Sequence, residues 1–462
     1  MQNELPRFMI AGSGSGCGKT TVTCAILKAL SNRGMHIGAF KCGPDYIDPM
    51  FHSRILHDRS TNLDSFFFDE NTLRALLVKN AAGKDLSIIE GVMGFYDGLG
   101  LTSGKASSCE IAQITRTPVI LVLNAKGTAL SLLAVIQGFL NFTPENMICG
   151  VILNRCNEMT YTALAAEIRK RFGDSVRPYG YLPPMSDCSL ESRHLGLVTT
   201  EEVVDLDEKT EKLAVQAEKS IDLDGLIRTA QRTEPIQSEP IEIMHFQKKI
   251  RIGAAQDKAF CFYYHDNLDL LREMGAEIIP FSPLSSHKLP ENIHGLYLGG
   301  GYPELYAESL SLNTSMRATV REGLMNGMPC IAECGGFMYL TESIDGYPMV
   351  GVLPGNCYNT GKLTRFGYVK LKAKQDNMLC DKGTEIAAHE FHYWDCDEPG
   401  ADFTAEKVSG KKWDCIHAEE TLYAGFPHFH FYANPEFAIR FYKACLKYKE
   451  KAHAGNRRTD GH

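Results

Sequence analysis

The chain has 462 residues, with 48 Lys and Arg against 56 Asp and Glu, for a formal net charge of −8; 44% of its residues are hydrophobic and 23% charged. That length predicts two or three domains, and the composition excludes a disordered or collagen-like chain. The mild acidity argues against nucleic acid as a partner, because phosphate-backbone binding depends on a surplus of Lys and Arg.

The amino terminus, Met1-Gln-Asn-Glu-Leu-Pro-Arg7, has no apolar core of a signal peptide, and no run of 18 apolar residues occurs. The expectation is a cytoplasmic protein with no membrane association. The fifteen cysteines are scattered singly with no C-x-x-C pair, a pattern of packing or reactive thiols in a reducing compartment.

Along the first 200 residues, short apolar runs alternate with amphipathic stretches. Arg7–Ala11, Ile37–Lys41, Leu86–Glu90, Val119–Leu123 and Gly150–Asn154 read as buried strands, and Thr20–Asn32 and Tyr161–Arg171 as helices. This alternation predicts an α/β fold with a parallel sheet covered on both faces. From about Thr199 to Lys249 the composition turns polar, with one helical stretch near Lys209–Ser220, and reads as the connection between domains. A second strand-helix series follows, with strands at Lys249–Ala255, Glu277–Phe281, Gly295–Gly299 and Pro329–Glu333. The predicted domains are 1–235, with a linker from about 200, and 248–448, followed by a frayed polar tail over 449–462.

Gly12-Ser-Gly-Ser-Gly-Cys-Gly-Lys-Thr-Thr21 sits between the first strand and the first helix. In that context a glycine-rich run is a phosphate loop, where backbone N–H groups and a helix N-terminus hold phosphate oxygens. Gly12, Ser15, Gly16, Gly18, Lys19, Thr20 and Thr21 are its candidate ATP-binding residues. Lys19 neutralises phosphate charge and the Thr20 hydroxyl can ligate Mg²⁺. Ser13 stands where the strict motif has glycine. Glu90, at the end of its strand, and Asp45 and Asp48, in Lys41-Cys-Gly-Pro-Asp-Tyr-Ile-Asp-Pro49, lie on the carboxyl edge where such folds bind ligands. Thr20, Asp45 and Glu90 are the candidate Mg²⁺ ligands, although Asp45 and Asp48 also suit plain turn formation.

Pro329-Cys-Ile-Ala-Glu-Cys-Gly-Gly336 places Cys334 between a strand and an apolar helix, with Ala332 and Gly336 as the small residues of a nucleophile elbow. The helix N-terminus there is expected to favour a thiolate. Cys330 reads as an inert packing residue. Leu298-Gly-Gly-Gly-Tyr-Pro-Glu304 offers Gly300 and Gly301 backbone N–H groups for an oxyanion. Phe426-Pro-His-Phe-His-Phe431 supplies the general base: His428 is favoured and His430 stays open.

Taken together with Glu90-Gly-Val-Met-Gly-Phe-Tyr-Asp-Gly98, Arg193-His-Leu-Gly-Leu197, Phe260-Cys-Phe-Tyr-Tyr264 and His389-Glu-Phe-His-Tyr393, these motifs make the chain resemble the cobyrinate a,c-diamide synthases over nearly its whole length. The first half resembles dethiobiotin synthetase, a P-loop NTPase fold with a widened phosphate loop, which accounts for Ser13. The second half resembles class I glutamine amidotransferases. The resemblance implies amidation of the a and c carboxylates of cobyrinate in the anaerobic branch of cobalamin biosynthesis, through acyl phosphates formed with MgATP, with ammonia from L-glutamine. It places Tyr46, Asp48 and Asp97 near the macrocycle. Lys41, with Lys19, is the cation expected to draw in a polycarboxylate. Asn154 is expected either to contact adenine or to cap the next helix. Most class I enzymes carry Glu two residues after the catalytic His; here His430 occupies that position, so a Cys334–His428 dyad is implied. The alternatives are the same chemistry on hydrogenobyrinate or nickel sirohydrochlorin, or a ParA-like ATPase switch; a homodimer is one open assembly.

Overall fold

The computed structural model describes residues 2–188, 192–193, 196–197 and 205–459. Within the motif at Arg193–Leu197, His194 and Leu195 lie outside the described residues. The chain divides into two compact units, Met1–Ile241 and Glu242–His462.

The first unit is built on β1 (Arg7–Gly12), β2 (Ile37–Cys42), β3 (Ser60–Leu63), β4 (Leu86–Glu90), β5 (Val119–Asn124), β6 (Ile148–Asn154) and β7 (Arg177–Leu182), in the order β3-β2-β4-β1-β5-β6-β7. Every pairing is parallel. β1, β2 and β4 are buried at every position, as expected of strands covered on both faces. β3 and β7 lack a clean apolar run: Ser60 and Asn62 are buried in polar contacts on either side of a buried Thr61, and Pro178 and Gly180 interrupt β7. The phosphate loop follows β1 and opens α1 (Lys19–Asn32); α2 (Ile47–Leu56) follows β2.

The expected linker from about residue 200 is corrected by the structure. Over 206–231 it forms α3 (Leu206–Ser220) and a further helix, Leu223–Gln231. Leu213, Ala214 and Ala217 are buried, and α3 packs on α1. The Glu- and Lys-rich composition that suggested a connection is the solvent face of an amphipathic helix. Ion pairs from Arg33 to Glu218 and Asp224 join the two surfaces.

Arg7, buried at the start of β1, closes this unit. Its guanidinium donates to the carbonyls of Leu5 (2.8 Å), Thr115 (2.9 and 3.1 Å), Arg116 (3.2 Å) and Glu234 (2.9 Å) and to the Thr117 hydroxyl (3.2 Å). Burial pulls its pKa down to about 10, a cost offset by satisfying carbonyls that would otherwise be orphaned.

The second unit contains β8 (Ile250–Ala255), β9 (Ala276–Phe281), β10 (Gly295–Leu298), β11 (Cys330–Glu333), β12 (Arg365–Ala373), β13 (Glu385–His392), β14 (Leu422–Gly425) and β15 (His428–Phe429). The main sheet runs β9-β8-β10-β11-β14 in parallel, with Ala418 and His417 antiparallel at its edge. An antiparallel sheet pairs β12 with β13 and β13 with β15, and continues from β12 through Phe403–Glu406 to Lys412–Cys415. The helices that matter below are α4 (His265–Met274) and α5 (Gly335–Leu340). The final helix, Glu436–Thr459, carries on into the segment expected to fray as a polar tail from residue 449.

Replacing Arg7 by Met should destabilise the first unit by about 2–4 kcal/mol, because several buried carbonyls lose their donor at once; urea unfolding of the full chain, followed by a probe in the first unit, checks it.

Candidate active sites

The first candidate site lies at the carboxyl edge of β1, β2 and β4. Gly18 has φ 97°, and a Cβ there would fall 1.9 Å from Asn154 Nδ2, so only glycine lets the loop pass over the end of β6. Asn154 Nδ2 donates to the Cys17 carbonyl (2.9 Å), and its Oδ1 accepts the Arg155 N–H (2.9 Å). It therefore braces the loop. The helix-capping alternative is corrected, since Asn157 caps helix Glu158–Phe172 through Thr160 N–H. Cys17 is buried and lends its backbone, while Ser15 and Gly16 are exposed at the rim of the loop and Thr21 is half-buried in α1.

Lys19 is folded back onto the carbonyls of Gly14 (3.1 Å) and Met93 (2.5 Å). Burial lowers its pKa, so an anion arriving at the loop would relieve a desolvated cation. Thr20 Oγ1 donates to Glu90 Oε1 (2.7 Å) and lies 3.4 Å from Asp48 Oδ2. Lys41 Nζ bridges Asp48 and Glu90 Oε1 and also reaches Gly91 O (3.1 Å). Burial opposes the charge of Glu90, but Lys41, His52 and Thr20 outweigh it and hold its pKa below the carboxylate range. Burial and the neighbouring Glu90 push Asp48 well up. Burial likewise opposes the Lys41 charge, yet Asp48, Glu90 and Asp45 hold its ammonium protonated.

Asp45 takes a different place from the one expected. Its Oδ1 accepts the Ile47 N–H (2.8 Å) at the start of α2, as a turn former does. Asp48 thus supplies the second carboxylate beside Thr20 and Glu90, while the charge of Asp45 still acts on Lys41. Tyr46 is buried just ahead of α2. Asp97 is exposed, and its Oδ2 accepts the Gly94 N–H (2.8 Å). His52, unassigned by sequence reasoning, is 0% exposed with Nε2 2.7 Å from Glu90 Oε2 and Nδ1 3.2 Å from Ser60 Oγ. The signal was its spacing: it falls one helical turn after Asp48 on α2.

The donor set suits a hard cation. Among the described residues no group of three or more His, Cys, Asp or Glu forms an all-protein cage. Mg²⁺ needs none, because it takes one or two protein carboxylates and completes its shell with phosphate and water. Thr20, Glu90 and Asp48 offer such oxygens.

The second candidate site gathers at the ends of β10, β11 and β14. Cys334 has φ 49° and ψ −104°, a strained backbone that costs on the order of 1–3 kcal/mol. Its N–H donates to Gly425 O (2.7 Å), and α5 starts at once. A Cβ on Gly336 would lie 2.2 Å from Leu298 O, so the small residue after the nucleophile is dictated by the β10 backbone. The expected thiolate is corrected: burial, then the charge of Glu304, pushes the thiol up, and Cys334 rests protonated. The six-residue α5 does not offset that desolvation.

His428 lies against Gly300, where an added Cβ would come within 2.5 Å of its Cε1; a Cβ on Gly335 would lie 3.2 Å from Gly301 N. The glycine loop thus lies against both the elbow and the histidine, and only glycines leave room for the approach. His428 Nδ1 is 3.0 Å from Glu333 Oε2. The other oxygen, Oε1, accepts from Tyr297 Oη (3.1 Å), which in turn receives a hydrogen bond from Asn267 of α4 (3.3 Å). His430 faces elsewhere: its ring is 4.8 Å from that of Tyr264, and Nδ1 accepts the Tyr432 N–H (3.3 Å). The geometry therefore favours His428 as the base. It also adds a carboxylate to the expected Cys334–His428 pair, from the residue before the nucleophile rather than from two positions after the histidine.

Residues 8–197 match the family model described as the CobQ/CobB/MinD/ParA nucleotide binding domain, and residues 251–436 the CobB/CobQ-like glutamine amidotransferase domain. Across 453 residues, 96% of this chain and 99% of the relative, it is 40% identical to a cobyrinate a,c-diamide synthase of Caldanaerobacter subterraneus subsp. tengcongensis. The chain belongs to the cobyrinate a,c-diamide synthase family. A synthase of the same name from Clostridium acetobutylicum is 40% identical over 93% of this chain and 98% of its own length, and one from Listeria monocytogenes serotype 4b is 40% identical over 93% and 97%. Membership over nearly the full length makes the chain an amide-forming ligase of glutamine-hydrolysing type and leaves no room for a stand-alone ParA-like switch. No helix among the described residues is long and apolar enough to cross a membrane.

Gly18→Ala should weaken ATP binding by tenfold or more while sparing the Cys334 site, since the new methyl displaces Asn154 and with it the loop; calorimetric titration with ATP checks it.

Proposed function

We propose that this enzyme amidates the a and c side-chain carboxylates of cobyrinate in the cytoplasm, through acyl phosphates made with MgATP and ammonia released from L-glutamine. One observation carries the reading: a chain with a lysine-bearing phosphate loop over a Thr20–Asp48–Glu90 oxygen cluster with both carboxylates buried also carries a cysteine elbow whose histidine partner is held by a carboxylate. The first arrangement suits phosphoryl transfer and the second suits amide hydrolysis.

In the first unit the phosphate loop and Lys19 grip the triphosphate. An oxygen of the substrate carboxylate attacks the γ-phosphorus, ADP leaves, and an acyl phosphate remains. Thr20, Glu90 and Asp48 would hold Mg²⁺, which would supply charge neutralisation for the phosphates. Lys41, which pairs with Asp48 and Glu90 here, would donate to the substrate's acidic side chains, with Tyr46 and Asp97 at the same edge. Ammonia then attacks the acyl carbon and phosphate leaves.

In the second unit His428 Nε2 takes the Cys334 proton as the sulfur attacks the glutamine side-chain amide. The same proton passes to the departing ammonia, and water cleaves the thioester to glutamate. Glu333 accepts from His428 Nδ1–H, which fixes the tautomer whose Nε2 is basic. A protonated resting thiol makes this transfer necessary. The N–H groups of Gly300 and Gly301 would receive the oxyanion.

Cys334→Ala should abolish glutamine-supported amidation and leave ammonia-supported amidation in place, whereas Lys19→Ala should remove both; product formation from cobyrinate with each nitrogen source measures this, and loss of both in Cys334→Ala would sink the two-site reading. Turnover confined to nickel sirohydrochlorin or hydrogenobyrinate in the same assay would reassign the substrate. Glu333→Gln should lower the glutaminase kcat by about 10²-fold or more, as a mis-set tautomer does, with the ammonia-supported rate as the internal control.

A further inference from the structure

The motif His389-Glu-Phe-His-Tyr393 has no part in the chemistry above, yet it holds two buried polar atoms without partners. Glu390 is 2% exposed and His392 5%. Neither Glu390 Oε2 nor His392 Nε2 has a hydrogen-bond partner among the described residues. The two atoms face each other 3.5 Å apart. His392 Nδ1 lies 2.6 Å from the Trp394 carbonyl, which can only accept, so Nδ1 carries a proton, and the tautomer with that single proton turns a lone pair on Nε2 toward the carboxylate. Two acceptors face to face in a buried position are costly. A group with several N–H donors and a positive charge would satisfy both.

The place of this pair in the fold says which cation. β13 carries it, and β13 pairs with β15 so that His389 stands opposite His428. The His392 ring stacks on Phe426 at 4.1 Å, and Phe426 meets Phe337 of α5 at 5.1 Å, so the pair adjoins the helix that Cys334 opens. The charge of Glu390 acts on the Cys334 thiol itself. Across the ladder from His392 stands Arg365, one-quarter exposed on its side chain, with Nε 4.0 Å from Glu390 Oε2, beyond hydrogen-bond range. Its guanidinium rests on the Trp413 ring at 4.9 Å, and Nη1 donates to the Thr364 carbonyl. A buried carboxylate with an adjoining arginine matches the two charges of an α-amino acid.

We infer that Glu390 and His392 bind the α-ammonium of glutamine and that Arg365 faces its α-carboxylate, which makes this the subsite that selects an α-amino acid amide over other amides. The inference rests on the reading of Cys334 as the glutaminase nucleophile.

The full-length enzyme should be assayed with glutamine, with 4-carbamoylbutanoate, the same molecule lacking the α-amino group, and with ammonia. The wild type should prefer glutamine strongly in kcat/KM, as sites built around a buried polar contact do. Glu390→Gln should raise the glutamine KM by about tenfold to hundredfold and shrink that preference by a similar factor, because the analogue never used the contact. Ammonia-supported amidation reports whether the variant is folded. If Glu390→Gln lacks ammonia-supported activity, Glu390→Asp and His392→Gln take its place with the same expectation. An unchanged preference in a variant that keeps ammonia-supported activity would overturn the inference and leave Glu390 and His392 an internal pair. Failure of the underlying reading is distinct: Cys334→Ala would then keep glutamine-supported activity.

Discussion

Each unit of this enzyme ends a buried strand with a glutamate, and that single constraint organises what surrounds it. Glu90 closes β4 at 0% exposure and Glu333 closes β11 at 2%. An ionised carboxylate so placed is affordable only if charged or strongly polar donors are brought to it. In the first unit those donors are Lys41, Thr20 and His52, from β2, α1 and α2. In the second they are His428 and Tyr297, from β15 and β10. Satisfying the carboxylate thereby draws the reactive groups of several elements to one edge of a sheet.

The two solutions differ in what they leave available. Around Glu90 the cluster is over-supplied with acid: Asp48 and Glu90 share Lys41, and burial with mutual repulsion keeps Asp48 from ionising freely. Such a cluster is poised to exchange a lysine for a divalent cation, which would let both acids ionise. Around Glu333 both oxygens are used, by His428 Nδ1 and by Tyr297 Oη. Nothing in that arrangement invites a metal, and it suits fixing a ring.

Local signals revealed the residues whose chemistry is set by their neighbours in the chain. Lys19 and Thr20 sit where strand, glycine loop and helix adjoin, and Cys334 sits between small residues at a strand-helix junction; both sites were legible for that reason. Partners supplied across the fold were not. Glu333 and His428 are 95 residues apart and His52 and Glu90 are 38 apart, and no spacing rule reaches that far. The expectation of a bare dyad looked for a carboxylate along the chain from His428, whereas β11 brings Glu333 to its Nδ1 through space. Short polar strands such as Ser60–Leu63 were silent because their buried Ser and Asn make hydrogen bonds rather than apolar contacts. The helical stretch near Lys209–Ser220 was legible, but the packing of 206–231 into the first unit was hidden by composition, since the solvent faces dominate the count of charged residues.

The protonated state of Cys334 follows from the same economy of burial. A thiolate at this depth would need its own counter-charge, and the surrounding acids, Glu304, Glu390 and Glu333, push the other way. The histidine that could supply the charge is already committed through Nδ1 to Glu333. On this reading the sulfur ionises only while His428 Nε2 accepts its proton, and the imidazolium so formed is stabilised by Glu333 at the moment the thioester bond is made. A nucleophile arranged in this way is inert toward water and solvent electrophiles between turnovers. The strain stored at φ 49° then serves to seat the nucleophile at the turn between β11 and α5 rather than to raise its reactivity at rest.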